Sequence, residues 1–191
     1  MSQLITYSGT TLDLLSPQPE TIDSCDIAHA LSQICCFNGH SREFYSLAQR
    51  CCLISDLVEP QHKLAALLME APAAYVGNPP RPLKKMIGMY REIEEELWQA
   101  ICQRFGLYPM LPDSVREAEL IVLAAELRDL LNVPMDRWHL PAGPGAMAET
   151  ITPWTPKHAR SQYLDRLFSL MTDPPADHLT DENGQSEGHA A

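Results

Sequence analysis

The sequence is short of positive charge: 14 Lys and Arg stand against 25 Asp and Glu in 191 residues, a formal net charge of -11. A chain so poor in cations lacks a broad electrostatic grip on a phosphate backbone, which argues against a nucleic-acid partner. No run approaches 18 uninterrupted apolar residues, so no membrane-spanning helix is expected. The start, MSQLITYSGTT, lacks the basic-then-apolar layout of a secretory leader. A soluble, cytoplasmic protein with no membrane partner is therefore predicted. The cysteines (Cys25, Cys35, Cys36, Cys51, Cys52, Cys102) include no C-x-x-C pair. Without an export signal this indicates neither a zinc knuckle nor a disulfide framework, and leaves buried thiols on helices. Also missing are a nucleophile-elbow context for Ser or Cys, the Gly-rich loops that hold phosphates or dinucleotides, and H-E-x-x-H.

What is present reads as one helical domain. At 45% hydrophobic the chain can bury one good core. Alternation around Leu4 to Leu14 with a turn at Gly9 predicts a short N-terminal hairpin. Asp23 or Ser24 then caps a helix through Ile27, Ala30, Leu31 and Ile34, expected to stop near Phe37-Asn38-Gly39. A second helix is predicted from Ser41 or Arg42 to Glu59, and a third from Pro60 to about Ala71. After a Pro-rich corner (Pro79, Pro80, Pro82) come helices over 90–105 and, capped by Ser114, over 114–131. A last helix starts at Thr155-Pro156. The fold class expected is all-α, a bundle of about six helices spanning 1–172, with a Pro/Gly-rich loop over 132–156. The acidic tail 173–191 is expected to be disordered. The Glu92–Glu96 cluster reads as a solvated helix face.

The run from Lys63 to Lys84, KLAALLMEAPAAYVGNPPRPLK, carries a further signal. It resembles the HD-domain phosphohydrolases, in particular the small 5′-nucleotidase-like members of phages and prophages, whose helix reads LLHDAxEAYxGDxPRPLK. Other stretches match in order. IDSCDIAHALSQICCFNGH resembles the family's DIAxxLSxxCRFxGH, FYSLAQR its FYSVAxH, and REAELIVLAAELRDL its xADLxxLATERRDL. ITPWTPKHARSQYLDRLF resembles the closing helix. The resemblance implies an HD-type helical bundle over nearly the whole folded chain.

The family's chemistry needs a divalent metal held by His, a His-Asp pair and a distant Asp, which polarises a phosphoryl oxygen and activates a water. Carried over by position, the first His falls on Arg50, the His-Asp pair on Met69 and Glu70, and the last Asp on Glu119. The family's phosphate-side Arg falls on Cys36, and its helper Glu and Asp on Ala73 and Asn78. Two carboxylates survive and both imidazoles are gone; a thioether suits none of Mg²⁺, Mn²⁺ or Co²⁺ here. Arg50 cannot bind a metal but can pair with Glu70 or Glu119, placing one organic cation where the resemblance implies a dication. The alternative is that Arg50 reaches solvent. Asn38, His40, Arg42, Tyr45, Tyr75, Arg81 and Lys84 match segments that border the family's nucleotide pocket, and Arg42, Arg81 and Lys84 could hold a phosphate.

The expectation is therefore a catalytically inactive relative, without catalytic residues, metal or cofactor, that binds a nucleotide or a protein partner. The alternative is a divergent phosphohydrolase acting on nucleoside monophosphates or other nucleotides with Mn, Co or Mg.

Overall fold

Leu4 and Leu12 face each other across an antiparallel ribbon of β1 (Gln3–Ile5) and β2 (Thr11–Asp13), which turns at Gly9. This is the hairpin that the alternation predicts. The computed structural model describes residues 2–131 and 145–172, and beyond this ribbon the regular structure is helical. Ser8 fastens the ribbon to the first helix, its N and Oγ both donating to Asp26 at 2.7 and 2.9 Å.

Helix α1 (Ser24–Gln33) starts where Asp23 accepts hydrogen bonds from the backbone N–H of Cys25 and Asp26, satisfying two of its orphan donors. It ends at Gln33, well before the expected Phe37–Gly39. The reason is non-local. Ile34 and Cys35 turn extended to pair with the chain before α2, with Cys36 N donating to Tyr45 O at 2.8 Å and Leu47 N to Ile34 O at 3.0 Å. The tight turn Cys36–Gly39 between them puts Phe37 and Asn38 at φ 54° and 51°. That left-handed backbone costs on the order of 1 kcal/mol per residue.

Helix α2 (Leu47–Leu57) opens on Ser46, not on Ser41 or Arg42, because Ser46 Oγ accepts from Gln49 N at 3.2 Å. A single 3₁₀ turn, Pro60–His62, leads into α3 (Lys63–Leu68). The Pro-rich corner holds two short helices that the sequence reading does not foresee, α4 (Ala73–Val76) and α5 (Arg81–Met86). Prolines that close one helix also suit the first turn of the next. Helix α6 (Gly88–Phe105) ends on Gly106 at φ 67°, the left-handed cap a glycine adopts without strain. Helix α7 (Asp113–Leu130) follows Pro112. Ser114 is not its cap and instead hydrogen-bonds His62 Nδ1 at 2.7 Å. Helix α8 (Pro156–Thr172) begins as expected, Thr155 Oγ1 accepting from His158 N.

The fold is all-α, with α2 at its centre packed by α1, α3, α7 and α8. Ile27, Leu31, Leu47, Cys51, Leu67, Leu97, Ile101 and Leu167 share the main core. A smaller apolar cluster joins Ile54, Val58 and Ala66 to Val115, Ala118 and Val122 of α7. Cys36, Cys51, Cys52 and Cys102 are buried, and all six thiols are free. No described helix is long and apolar enough to cross a membrane.

Residues 145–155, part of the predicted long loop, carry no helix or strand but are fastened by side chains. Gln49 donates to Thr152 O at 2.9 Å and accepts from Trp154 N at 2.8 Å, while Arg128 donates to Met147 O and Glu149 O. The rest of that loop, 132–144, and the acidic tail 173–191 lie outside the described residues.

Candidate functional site

Arg50 lies in the first turn of α2 and points between α3 and α7, only 8% exposed. Its Nη1 donates to Glu70 Oε1 at 2.9 Å, its Nη2 donates to Glu119 Oε1 at 3.3 Å, and its Nε faces Glu126 Oε1 at 3.3 Å. The guanidinium thus meets three carboxylates. Glu70 comes from the turn after α3. Glu119 and Glu126 are seven residues apart on α7, two turns along one face. Arg81, on exposed α5, reaches Glu119 from outside at 3.6 Å.

Burial works against the Arg50 cation, and Glu126, Glu70 and Glu119 together outweigh it, so its pKa rises further above an already high value. Glu126 is fully buried, and neither of its oxygens makes a hydrogen bond of good geometry. Tyr45 Oη lies beside it, close enough for each to perturb the other, without such a bond joining them. Desolvation therefore prevails over the pull of Arg50, and the Glu126 carboxyl is raised above its ordinary 4.5. Burial and Glu126 likewise push the Cys36 thiol well up, and burial and Glu70 do the same to Cys51. Neither thiol is an activated nucleophile, because thiols raised in this way stay protonated.

The raised Glu126 pKa has a stability consequence with a defined sign. Between its unfolded value and its higher folded value the native state binds more protons, so rising pH destabilises the fold through this group by up to about 1.4 kcal/mol per unit. Glu126→Gln is expected to flatten that part of the profile. Urea unfolding at pH 5 and pH 8 should show the variant's stability, relative to the parent, improving toward pH 8. A parallel pair of profiles would mean that Glu126 is ionised throughout.

The resemblance assigns metal ligands to Arg50, Met69, Glu70 and Glu119, and the chemistry of this set does not fit a divalent metal. A guanidinium cannot coordinate, and it fills the space where the carboxylates converge. Met69 packs against the smaller apolar cluster. Among the described residues, no group of three or more His, Cys, Asp or Glu is disposed to hold a metal ion.

Of the predicted pocket residues, Tyr45 and Arg81 meet the cluster and the others lie elsewhere. Tyr45 is buried in the cluster, whereas Tyr75 is buried beside Asp23 and Asp26. Asn38, His40 and Arg42 are exposed, on the segment that Arg42 joins to the end of α7 through Leu130 O and Leu131 O. Lys84 is engaged by Glu94 and lies over the Tyr90 ring. None of these, and not Arg81, lines the groove of about 600 Å³ that runs beside the cluster. That groove is bounded by Met69, Glu70 and Ala73 on one side and by the Glu92–Glu96 face of α6 on the other.

One further triple resembles a nucleophile relay: His62, Ser114 and Glu59. Both Ser114 Oγ, at 2.7 Å, and Glu59 Oε2, at 3.3 Å, meet the same ring nitrogen, Nδ1. A relay needs one partner on each nitrogen, so the arrangement fastens the start of α7 to Pro60–His62 instead.

The sequence reading brings Arg50, Glu70 and Glu119 together as the structure does, and misses Glu126. The signal was available: Glu126 follows Glu119 by two helical turns, inside the LAAELRDL stretch that carries the resemblance. Its apolar neighbours Leu123, Ala124, Ala125 and Leu127 obscure it.

No family model matches the chain. It is 35% identical over 171 residues to the uncharacterized protein YfdR of Escherichia coli (strain K12), covering 89% of this chain and 96% of the relative. To the uncharacterized protein RCAP_rcc00048 of Rhodobacter capsulatus it is 36% identical over 121 residues, 58% of this chain and 62% of that one. A match of that identity along nearly the full length of the first relative places the chain in a family: it belongs with YfdR.

Proposed function

We propose that this protein is a catalytically inactive relative of the metal-dependent HD phosphohydrolases and works by binding. In this reading the Arg50 guanidinium stands where active members hold their metal. The observation that carries it is the meeting of one buried guanidinium with Glu70, Glu119 and Glu126. Such a cluster can hold α2, α3 and α7 in register, and a guanidinium, unlike a bound dication, neither coordinates nor activates a water.

Between a nucleotide and a protein as the bound species, charge favours the protein. Lys84 is already paired with Glu94, and the charged lining of the groove beside the cluster is five glutamates against Arg91, a balance that repels phosphate.

Calorimetric titration with Mn²⁺ and Co²⁺, followed by phosphate release from deoxynucleoside monophosphates, tests the non-catalytic part. Neither heat of binding nor turnover is expected. Micromolar metal binding with turnover would overturn the reading and give Glu70 and Glu119 catalytic roles. A nucleotide panel should leave the melting temperature unchanged, because only a ligand that binds the folded state raises it.

A further inference from the structure

Helix α5 has no buried residue, and the chain around its end exposes large apolar side chains: Met86 is 82% exposed and Met89 67%, with Leu83 and Ile87 also open to solvent. This apolar face lies at one mouth of the groove, which is bounded there by Gly88, between Ile87 and Met89. At the far end the groove is bounded by Leu111, beside the exposed Tyr108 and Met110. That loop is held in place by Trp98 Nε1 donating to Pro109 O at 2.8 Å. Between the two apolar ends lie Glu92, Glu95 and Glu96, with Arg91 the single cation among the groove's lining residues.

We propose that this surface docks a basic polypeptide segment of a partner protein, with Lys or Arg side chains set against the glutamate row and apolar side chains seated at the two ends. Charge selects the occupant. A second copy of this chain, at -11, is repelled, and so is an anionic lipid surface or a nucleic acid. A small polyamine would satisfy the glutamates but leave the apolar ends exposed to water, where contiguous apolar surface marks protein contacts. The inference rests on the binding role proposed above and names its surface. Phosphate release would overturn that role without touching the docking test, which reads peptide affinity alone.

The probe is a fluorescent peptide of alternating Lys and Leu, titrated by anisotropy, with a Glu/Leu peptide of equal length as its control. Micromolar binding of the first and none of the second is expected. The triple variant Glu92→Gln, Glu95→Gln, Glu96→Gln should weaken binding about tenfold, and Met86→Ser with Met89→Ser by a similar factor. These five side chains are exposed, so the fold should tolerate the changes. The variant Glu20→Gln, Glu43→Gln, Glu149→Gln removes the same charge elsewhere on the surface and should leave affinity unchanged. Equal weakening in both charge variants, or in neither, would overturn the proposal. So would indifference to the methionine changes, or full displacement of the peptide by stoichiometric spermidine.

Discussion

Arg50→Met is expected to lower the stability of the fold by about 3–5 kcal/mol, the usual effect of deleting one partner from a buried ion cluster. Met keeps the apolar stem, so the loss isolates the charge from the packing. What remains is Glu70, Glu119 and a fully buried Glu126, three carboxylates that the guanidinium had held together. The deficit should depend on pH in a way that a cavity alone would not produce. Without the cation, which pulls the Glu126 pKa down, Glu126 gains affinity for protons in the folded state, so the variant recovers toward pH 5 and is worst near pH 8. Arg50→Lys should rescue little, since an ammonium cannot reach three separate acceptors in the plane of a fork. Combining Arg50→Met with Glu126→Gln should return part of the loss, and that coupling measures the pair directly. Equilibrium urea unfolding of the parent, the three single variants (Arg50→Met, Arg50→Lys, Glu126→Gln) and the double variant at both pH values decides the matter. A loss under about 1 kcal/mol, independent of pH, would mean that the cluster is a loosely hydrated surface pair.

The second large effect is a gain. Arg50→His, Met69→His, Glu70→Asp and Glu119→Asp made together are expected to create micromolar Mn²⁺ or Co²⁺ binding, with none expected in the parent. The geometry supports this in one specific respect. Met69 packs on the smaller apolar cluster but also borders the groove beside Glu70, so an imidazole in its place has a path toward the carboxylates. A dication would then replace the guanidinium as the counter-charge to Glu126. Arg50→His alone should bind metal more weakly than the quadruple variant, because one imidazole beside Glu70, Glu119 and a Glu126 that holds its proton more firmly is a poorer donor set than two imidazoles with these carboxylates. Calorimetry reads the binding. Thermal unfolding provides a second measure, with about 2.7 kcal/mol of added stability at a metal concentration a hundred times Kd. A quadruple variant that folds, by circular dichroism, yet takes up no metal would show that Arg50 does not stand on a former metal position.

Local signals made parts of this fold readable from sequence. Asp23 is recognisable as a cap because the short acid precedes a helical pattern, and its side chain accepts from the first N–H groups of that helix. The errors came where distant chain decided the outcome. Ser41, Arg42 and Ser46 all precede the apolar pattern of α2. The pairing of Cys35 with Ser46 keeps the first two outside the helix, and no local rule contains that pairing. Helix α5 was hidden by prolines read only as breakers.

The cluster at Arg50 was legible because the residue types themselves were informative. An Arg and two Glu at positions where the resemblance implies metal ligands predict a contact, and the contact is present. Glu126 escaped because its neighbours Ala124, Ala125 and Leu127 are apolar and none of the ligand positions that the resemblance implies falls on it. Dispersal of the predicted pocket residues had a different cause. Matching a segment to a family carries residue identity, but Lys84 was drawn to Glu94, a partner on α6 that the matched segment does not include.

A bound metal exchanges with the solution around it, and its occupancy follows supply, competing chelators and pH. The positive charge facing Glu70, Glu119 and Glu126 is covalently part of α2, so its local concentration is fixed by the backbone and no dilution removes it. Nor does any physiological pH discharge a guanidinium. The Arg50 charge at the junction of α2, α3 and α7 is therefore independent of the supply of divalent ions.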